Sequence, residues 1–430
     1  MTRTRTVSIF AVVALVLAVC FFVGNHIVHA VTAEELQAKI DAQNADIAKL
    51  EQEIAKYQGQ LATLGTQKET LSSNIKELDI TTKKLYAQIS VTQQKINQKN
   101  TQIANLGTQI DDKSSRIGEH KSALSESVRF QQKMDEVPLP YLLVSSDNIS
   151  DSWQAIDEVT QFNSKIKNRI DVLGNAKADL EDTKKVTEKA KAELESLKRD
   201  LSDQKKIVDG TIAQKNKLLK ETKNQESGYK LLLADRLAKK DAFEKDLREY
   251  ESQLQYVLNP SLLPKAGSSP LSWPLDSIRI TQQFGRTVDS VRLYASGSHN
   301  GTDFAASIGT PVKAMADGVV AGIGDTDAQC NGVSFGKFIL IKYNDGLAST
   351  FGHLSLIKVT EGQQVSRGDI VGYSGNTGYT TGPHLHVSVY ARDAVSVKSL
   401  PSKSCVGRML TQPVSPIAGY LDPMAYLPSQ

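Results

Sequence analysis

The sequence predicts an α + β multidomain chain: a long antiparallel coiled-coil hairpin followed by a small all-β domain. Apolar residues recur every seven positions over most of the first 257 residues. Pro138 and Pro140 interrupt that repeat near its middle. After a stretch rich in Pro, Ser and Gly come short runs such as "GTPVKAMADGVVAGIG" and "GKFILIKYNDGLAST", which read as strands joined by tight turns.

The chain has 430 residues, enough for two or three domains, and a net charge of +3, which gives no footing for nucleic-acid binding. Residues 1–30 read as an export signal. Arg3 and Arg5 precede an apolar run from Val7 to Gly24, and "VHA" at 28–30 suits a cleavage site. The run is also long enough to stay as a membrane anchor. Cys20 follows Val19, which fits a lipoprotein signal poorly. Beyond it only Cys330 and Cys405 remain, and an even pair in an exported chain predicts a disulfide.

Residues 34–257 form the predicted hairpin. Ile40, Ile47, Ile54, Leu61, Ile75, Ile89, Ile96 and Ile103 share one heptad phase, and Leu50, Tyr57, Leu64, Leu71, Leu78 and Leu85 a second. Lys, Gln, Asp and Glu fill the positions between, as solvated faces of a left-handed coiled coil require. His120 falls on the second phase as a polar seam residue. The tip lies near 135–153, because proline cannot continue a helix. A less regular set follows, including Val159, Ile166, Leu173, Leu180, Leu194, Leu201, Val208, Tyr229, Phe243, Tyr250 and Val257, with Leu247 and Leu254 in a companion phase. Arms of about 100 residues would each span roughly 150 Å at 1.5 Å per residue. Pairing between two chains is the alternative to a hairpin. The apolar tip "VPLPYLLV" reads either as a docking surface or as packing of the hairpin end. Residues 258–272 are a linker by composition.

Four of the seven histidines lie in the all-β part: His299, His353, His384 and His386. His384 and His386 are two apart in a strand-like run, so they share a face, with Leu385, Val387 and Val389 on the other. Alone, such a pair is either a metal site or two hydrogen-bonded surface histidines. "SHNGTDF" adds Asp303 four residues after His299, across a turn. A hydrolytic metal site needs three N or O ligands and one open position, and His with carboxylate suits zinc better than magnesium or calcium. Two further histidines could then orient or deprotonate a water and stabilise a tetrahedral intermediate. No His-Glu-x-x-His motif is present. Spacing alone leaves open which histidine of the pair is a ligand.

The motifs "HNGTD", "FGHL" and "GPHLH", with "ITQQFGR", "GTPVKAMADGVV" and "GQQVSRGDIVGYSGNTGYTTGPHLH" around them, resemble the lysostaphin-type or LytM-type zinc peptidases of metallopeptidase family 23. The resemblance covers about 271–393 and resumes at 420–427. It implies a domain at 273–427 with an antiparallel, duplicated-hybrid-motif-like fold and its site in a groove on one sheet. It implies one Zn2+ held by His299, Asp303 and His386, with His353 and His384 as catalytic histidines. The implied activity is endopeptidase cleavage of peptidoglycan stem peptides or cross-links. Phe351 stands where the family often has Tyr, and 393–419 looks like an insertion, which a Cys330–Cys405 disulfide would staple near the groove. An export signal, coiled hairpin and peptidase domain together resemble a subgroup acting in cell separation. Some of its members lack zinc ligands and activate amidases. That likeness implies a location in the wall or on the outer face of the membrane. It also implies docking of the coil on a division-associated ABC-transporter-like membrane complex, and restraint of the site until release.

Overall fold

The computed structural model describes residues 33–64, 70–135, 149–254, 259–287, 290–291, 297–402 and 405–429. The predicted export signal (1–30) and the apolar tip at 137–144 lie outside them. Among the described residues no helix is long and apolar enough to cross a membrane. The chain divides into two compact units, residues 1–44 with 100–190, and residues 45–99 with 191–430.

Four long helices precede the β domain: α1 (Ala33–Leu64), α2 (Leu71–Asp135), α3 (Ile149–Thr222) and α4 (Glu226–Gln253). In the first unit Lys113 Nζ lies 2.8 Å from Asp179 and donates to Thr183 Oγ1, and Phe130 meets Phe162 edge-on at 5.4 Å. In the second unit Lys99 pairs with Glu193 at 2.6 Å and Asp79 with Lys215. Within each unit, partners rise along α2 as they fall along α3, which is the antiparallel hairpin that the heptads predict. Leu78 and Leu85 of α2 and Ile207 and Val208 of α3 are buried, together with Ile308 and Tyr373 of the β domain. This seam therefore packs on the β domain as well as on itself.

The second arm departs from the predicted single helix. Lys223 and Asn224 take left-handed φ values of 53° and 54°, and the chain turns there. Only a residue without Cβ fits the return. A methyl at Gly228 would lie 2.3 Å from the Thr222 carbonyl oxygen. The start of α4 is tied to the start of α2, where Glu226 accepts from the Leu71 amide at 2.9 Å and Asn74 donates to the Tyr229 hydroxyl at 2.7 Å. Phe243, Leu247, Tyr250 and Leu254 are consequently not coil-seam residues. They pack on Val333, Leu400, Leu410 and Val414 of the β domain and on the Cys330–Cys405 disulfide. A heptad count cannot separate these uses, because any apolar helical face repeats at nearly the same period.

The β domain contains β1 (Ile280–Gln282), β2 (Thr302–Ala305), β3 (Pro311–Lys313), β4 (Gly318–Asp325), β5 (Lys337–Tyr343) and β6 (Leu347–Ile357). There follow β7 (Gln364–Val365), β8 (Ile370–Ser374), β9 (His384–Ala391) and, past a hairpin, β12 (Tyr420–Leu421). The main path of the antiparallel sheet runs β1-β2-β9-β6-β5-β4-β7. Leu385, Val387 and Val389 of β9 are fully buried with Phe304, Ile339, Ile341, Leu347, Phe351 and Val371. The hairpin β10 (Ser396–Ser402) and β11 (Arg408–Val414) lies within the predicted insertion and forms a separate two-stranded sheet. The disulfide joins it to the loop after β4, with Cα atoms 6.1 Å apart.

One acid is buried where α4 meets this domain. Glu251 accepts from the Tyr420 hydroxyl at 2.7 Å and from the Ser415 amide at 3.4 Å. Burial outweighs these bonds and the nearby Arg248 charge, raising its pKa to about 7. A raised acid pKa in the docked state means that docking retains a proton which the free helix releases above its ordinary value. Docking of α4 therefore weakens as pH rises from about 4.5 through about 7. The protection factors of α4 amides, which divide out the base-catalysed rise in intrinsic exchange, are expected to fall over that range in the wild type and to stay flat in Glu251→Gln.

Candidate active site

β9 lies between β2 and β6, and its register builds the site. His386 faces Asp303 on β2 and Gly352 on β6, and His384 faces Ala305. Alternation buries Leu385 and Val387 in the core and turns both histidines to the other face, as the sequence predicts. His299 reaches the same place from the loop before β2, its amide and carbonyl bridged to Gly285. His353 follows Gly352 in β6.

The three residues expected as ligands converge. His299 Nε2 lies 3.2 Å from His386 Nδ1 and 3.4 Å from Asp303 Oδ1, and His386 Nδ1 lies 2.8 Å from that oxygen. All three residues are buried. Neighbours set the faces that the rings present. The Gln283 carbonyl, 3.1 Å away, accepts from His299 Nδ1, which leaves the Nε2 lone pair toward the cluster. Ser388 Oγ, 2.9 Å from His386 Nε2, does the same for Nδ1 in the tautomer that protonates Nε2. In that tautomer two nitrogen lone pairs and a carboxylate point at one another with no proton between them. A cation resolves that conflict, and two imidazoles with one carboxylate are a donor set for a divalent transition metal.

His353 and His384 stand beside the cluster, their rings 4.6 Å apart. The Thr377 carbonyl accepts from His353 Nδ1 and the Gly382 carbonyl from His384 Nδ1, each at 2.8 Å. Both Nε2 atoms are left able to accept a proton, and that of His384 is 3.7 Å from Asp303. Burial, then the charges of His384 and His386, hold His353 well below the usual histidine range, so it is neutral near pH 7. Burial also lowers His386, against its contact with Asp303. Burial by itself would raise Asp303, but His384, His299 and His386 outweigh it and keep the carboxyl well below the usual carboxylate range. His353 further has a φ of 61°, a left-handed conformation that a residue with Cβ rarely takes.

Residues that the sequence reading did not single out complete the site. Phe335 packs its ring 5.6 Å from that of His386. Thr377 Oγ1 is fixed by the Lys337 amide and the Leu354 carbonyl, which steadies the carbonyl that holds His353. Tyr379, Thr380 and Thr381 form one wall of the cavity. Lys240, Phe243, Glu244 and Leu247 of α4 form another. The remaining space is about 130 Å³, small beside the roughly 300–1,000 Å³ of clefts that hold small ligands. Nothing local in the sequence of α4 marks it as a wall of the site, since its apolar spacing matches the coil before it.

Residues 297–398 match the profile described as peptidase family M23. The C-terminal domain is a family M23 metallopeptidase domain. This agrees with the resemblance carried by its motifs. The chain is 46% identical over 125 residues to a peptidoglycan DD-endopeptidase, ShyA, of Vibrio cholerae, covering 28% of this chain and 27% of that protein. It is 42% identical over 91 residues to the glycyl-glycine endopeptidase ALE-1 of Staphylococcus capitis, covering 21% and 24%. The catalytic domain of lysostaphin from Staphylococcus simulans aligns with 30% identity over 35% of this chain and 92% of that one, at a TM-score of 0.26. The chain thus spans about a quarter of the length of these two curated relatives. The profile ends at 398, so most of the β10–β11 hairpin lies beyond the M23 match.

Gly301 sits against the His386 ring of the M23 domain. A methyl there would lie 2.5 Å from His386 Cε1 and 2.6 Å from the Val387 carbonyl. Gly301→Ala is expected to lower divalent transition-metal affinity about 10–100-fold by turning that ring, and His386→Ala to abolish tight binding, both read by metal titration of the chelated protein.

Proposed function

We propose that this chain is a zinc-dependent endopeptidase that hydrolyses peptide bonds of bacterial peptidoglycan stem peptides or cross-links, and that α4 restrains its site. The observation that carries the reading is the convergence of His299, Asp303 and His386 beside two further histidines whose Nε2 atoms are able to accept a proton. The names of the relatives, a peptidoglycan DD-endopeptidase and a glycyl-glycine endopeptidase, support peptidoglycan peptides as the substrate class.

His299, Asp303 and His386 would hold the zinc, which supplies Lewis-acid polarisation of the scissile carbonyl and acidification of a water. His353, neutral through burial and oriented by the Thr377 carbonyl, takes a proton from the attacking water. His384 faces the same cavity and stabilises negative charge developing on the carbonyl oxygen when protonated, or returns a proton to the leaving amine. Phe335, Leu385 and Val387 keep bulk water away from the ligand strand.

Export and a role in wall remodelling or daughter-cell separation fit the basic and apolar N-terminus and the Cys330–Cys405 disulfide, a bond favoured outside the cytoplasm. Docking of the coil on a division-associated, ABC-transporter-like membrane complex is the route by which we expect restraint to be lifted. The full ligand set favours an enzyme over a non-catalytic amidase activator, which has no need of it.

The test is digestion of purified peptidoglycan by the full chain, with released fragments identified by mass spectrometry and chelated protein as control. The wild type is expected to cleave slowly. Phe243→Glu with Leu247→Glu puts charges into the buried α4 contact and is expected to raise the rate about tenfold or more. Zinc-independent cleavage, or none from the folded, zinc-loaded double variant, would count against the reading.

A further inference from the structure

Helix α4 does more than fill space over the groove: it places a buried ammonium there. Lys240 is 3% exposed, and its Nζ lies 4.4 Å from the centroid of the Tyr379 ring. Glu244, one turn on, stands 3.5 Å from the same nitrogen. Lys240, Glu244 and Tyr379 line the cavity that contains the ligand triad, His353 and His384. Lysine is almost never fully buried, because desolvating an ammonium is costly without compensation. An aromatic face and a carboxylate supply that compensation here.

The aromatic wall is built by the M23 domain, not by the helix. The Tyr379 amide donates to the Ser334 carbonyl at 2.9 Å. The preceding Gly378 amide donates to Asp327 at 2.7 Å, and Asp327 also accepts from the Gly332 amide. These bonds fix the turn whatever lies over it. Glu244, by contrast, belongs to α4 and leaves with it. We propose that Tyr379 forms a substrate subsite for an ammonium-bearing side chain of the peptide, the position Lys240 of α4 occupies in this structure. The inference rests on the peptidase reading and adds to it a specificity-determining residue, Tyr379, which favours peptides with a free side-chain amine near the cleaved bond. Tyr379 then determines specificity, and Lys240 mimics substrate.

The test uses the full chain carrying Phe243→Glu and Leu247→Glu, with Lys240→Met to remove the internal competitor. It is chelated so that binding is measured without cleavage. The probes are the peptide acetyl-Ala-Ala-Lys-Ala-Ala-amide and its Nε-acetyl-lysine counterpart, titrated by calorimetry. The free amine is expected to bind about 5–30-fold tighter. That ratio should persist in Tyr379→Phe and fall to about one in Tyr379→Leu. Equal affinity of the two peptides would overturn the subsite. A preference for the free amine together with no zinc-dependent cleavage would leave the subsite standing and sink the peptidase reading instead. A second measurement needs no opened variant. Proteolysis of α4 in the otherwise wild-type chain should accelerate with Lys240→Met and with Tyr379→Leu, and the double variant should be no faster than either single one. Additive effects would show that the ammonium and the ring do not act together, and would overturn the proposal.

Discussion

The site depends on the pairing of β9 with its two neighbours. Opposite His386 the sheet sets Asp303 on one side and Gly352 on the other, and a slip of one residue would exchange both histidines of β9 for core aliphatics. Leu385, Val387 and Val389 fix that register because their burial leaves no other face for the strand to present. The hydrophobic core and the histidine–aspartate cluster meet on opposite faces of β9. Atoms 2.8–3.4 Å apart, drawn from a loop and two strands, are held there by backbone ladders, and the side chains need little ordering of their own.

A second layer of carbonyls makes the arrangement chemically definite. Gln283, Thr377 and Gly382 each accept from an Nδ1, so three imidazoles enter the site with their Nε2 atoms foremost. His386 is the exception and presents Nδ1, because Ser388, two residues along the same strand, meets its far nitrogen. This difference in presented nitrogen separates His384 from His386 despite their shared face. One is turned beside the cluster, and the other is built into it.

Much of this could be read from the chain itself. The alternation of "HLHVSV" gave the shared face, the four histidines with Asp303 gave the chemistry, and the pair Cys330 and Cys405 gave the bond that the structure contains. Resemblance, not spacing, singled out His386 over His384. The break at Lys223 and Asn224 was harder to see, since neither residue is a strong helix breaker and the apolar period resumes beyond them. The same ambiguity hid Phe243, Leu247 and Tyr250. Their spacing suits a partner helix and a sheet surface equally, and only the tertiary fold decides between them. Thr377 and Gly301 act through backbone position, a property that a single sequence does not display.

The backbone at His353 has a consequence for how such a domain changes over time. A left-handed φ at a residue with Cβ costs about 1–3 kcal/mol, and glycine at that position would recover much of it. Drift toward thermal robustness alone would therefore favour losing this imidazole. The rest of the domain offsets that conformational cost for one side chain. The torsion angle sets position 353 apart from its neighbours independently of any likeness to other proteins.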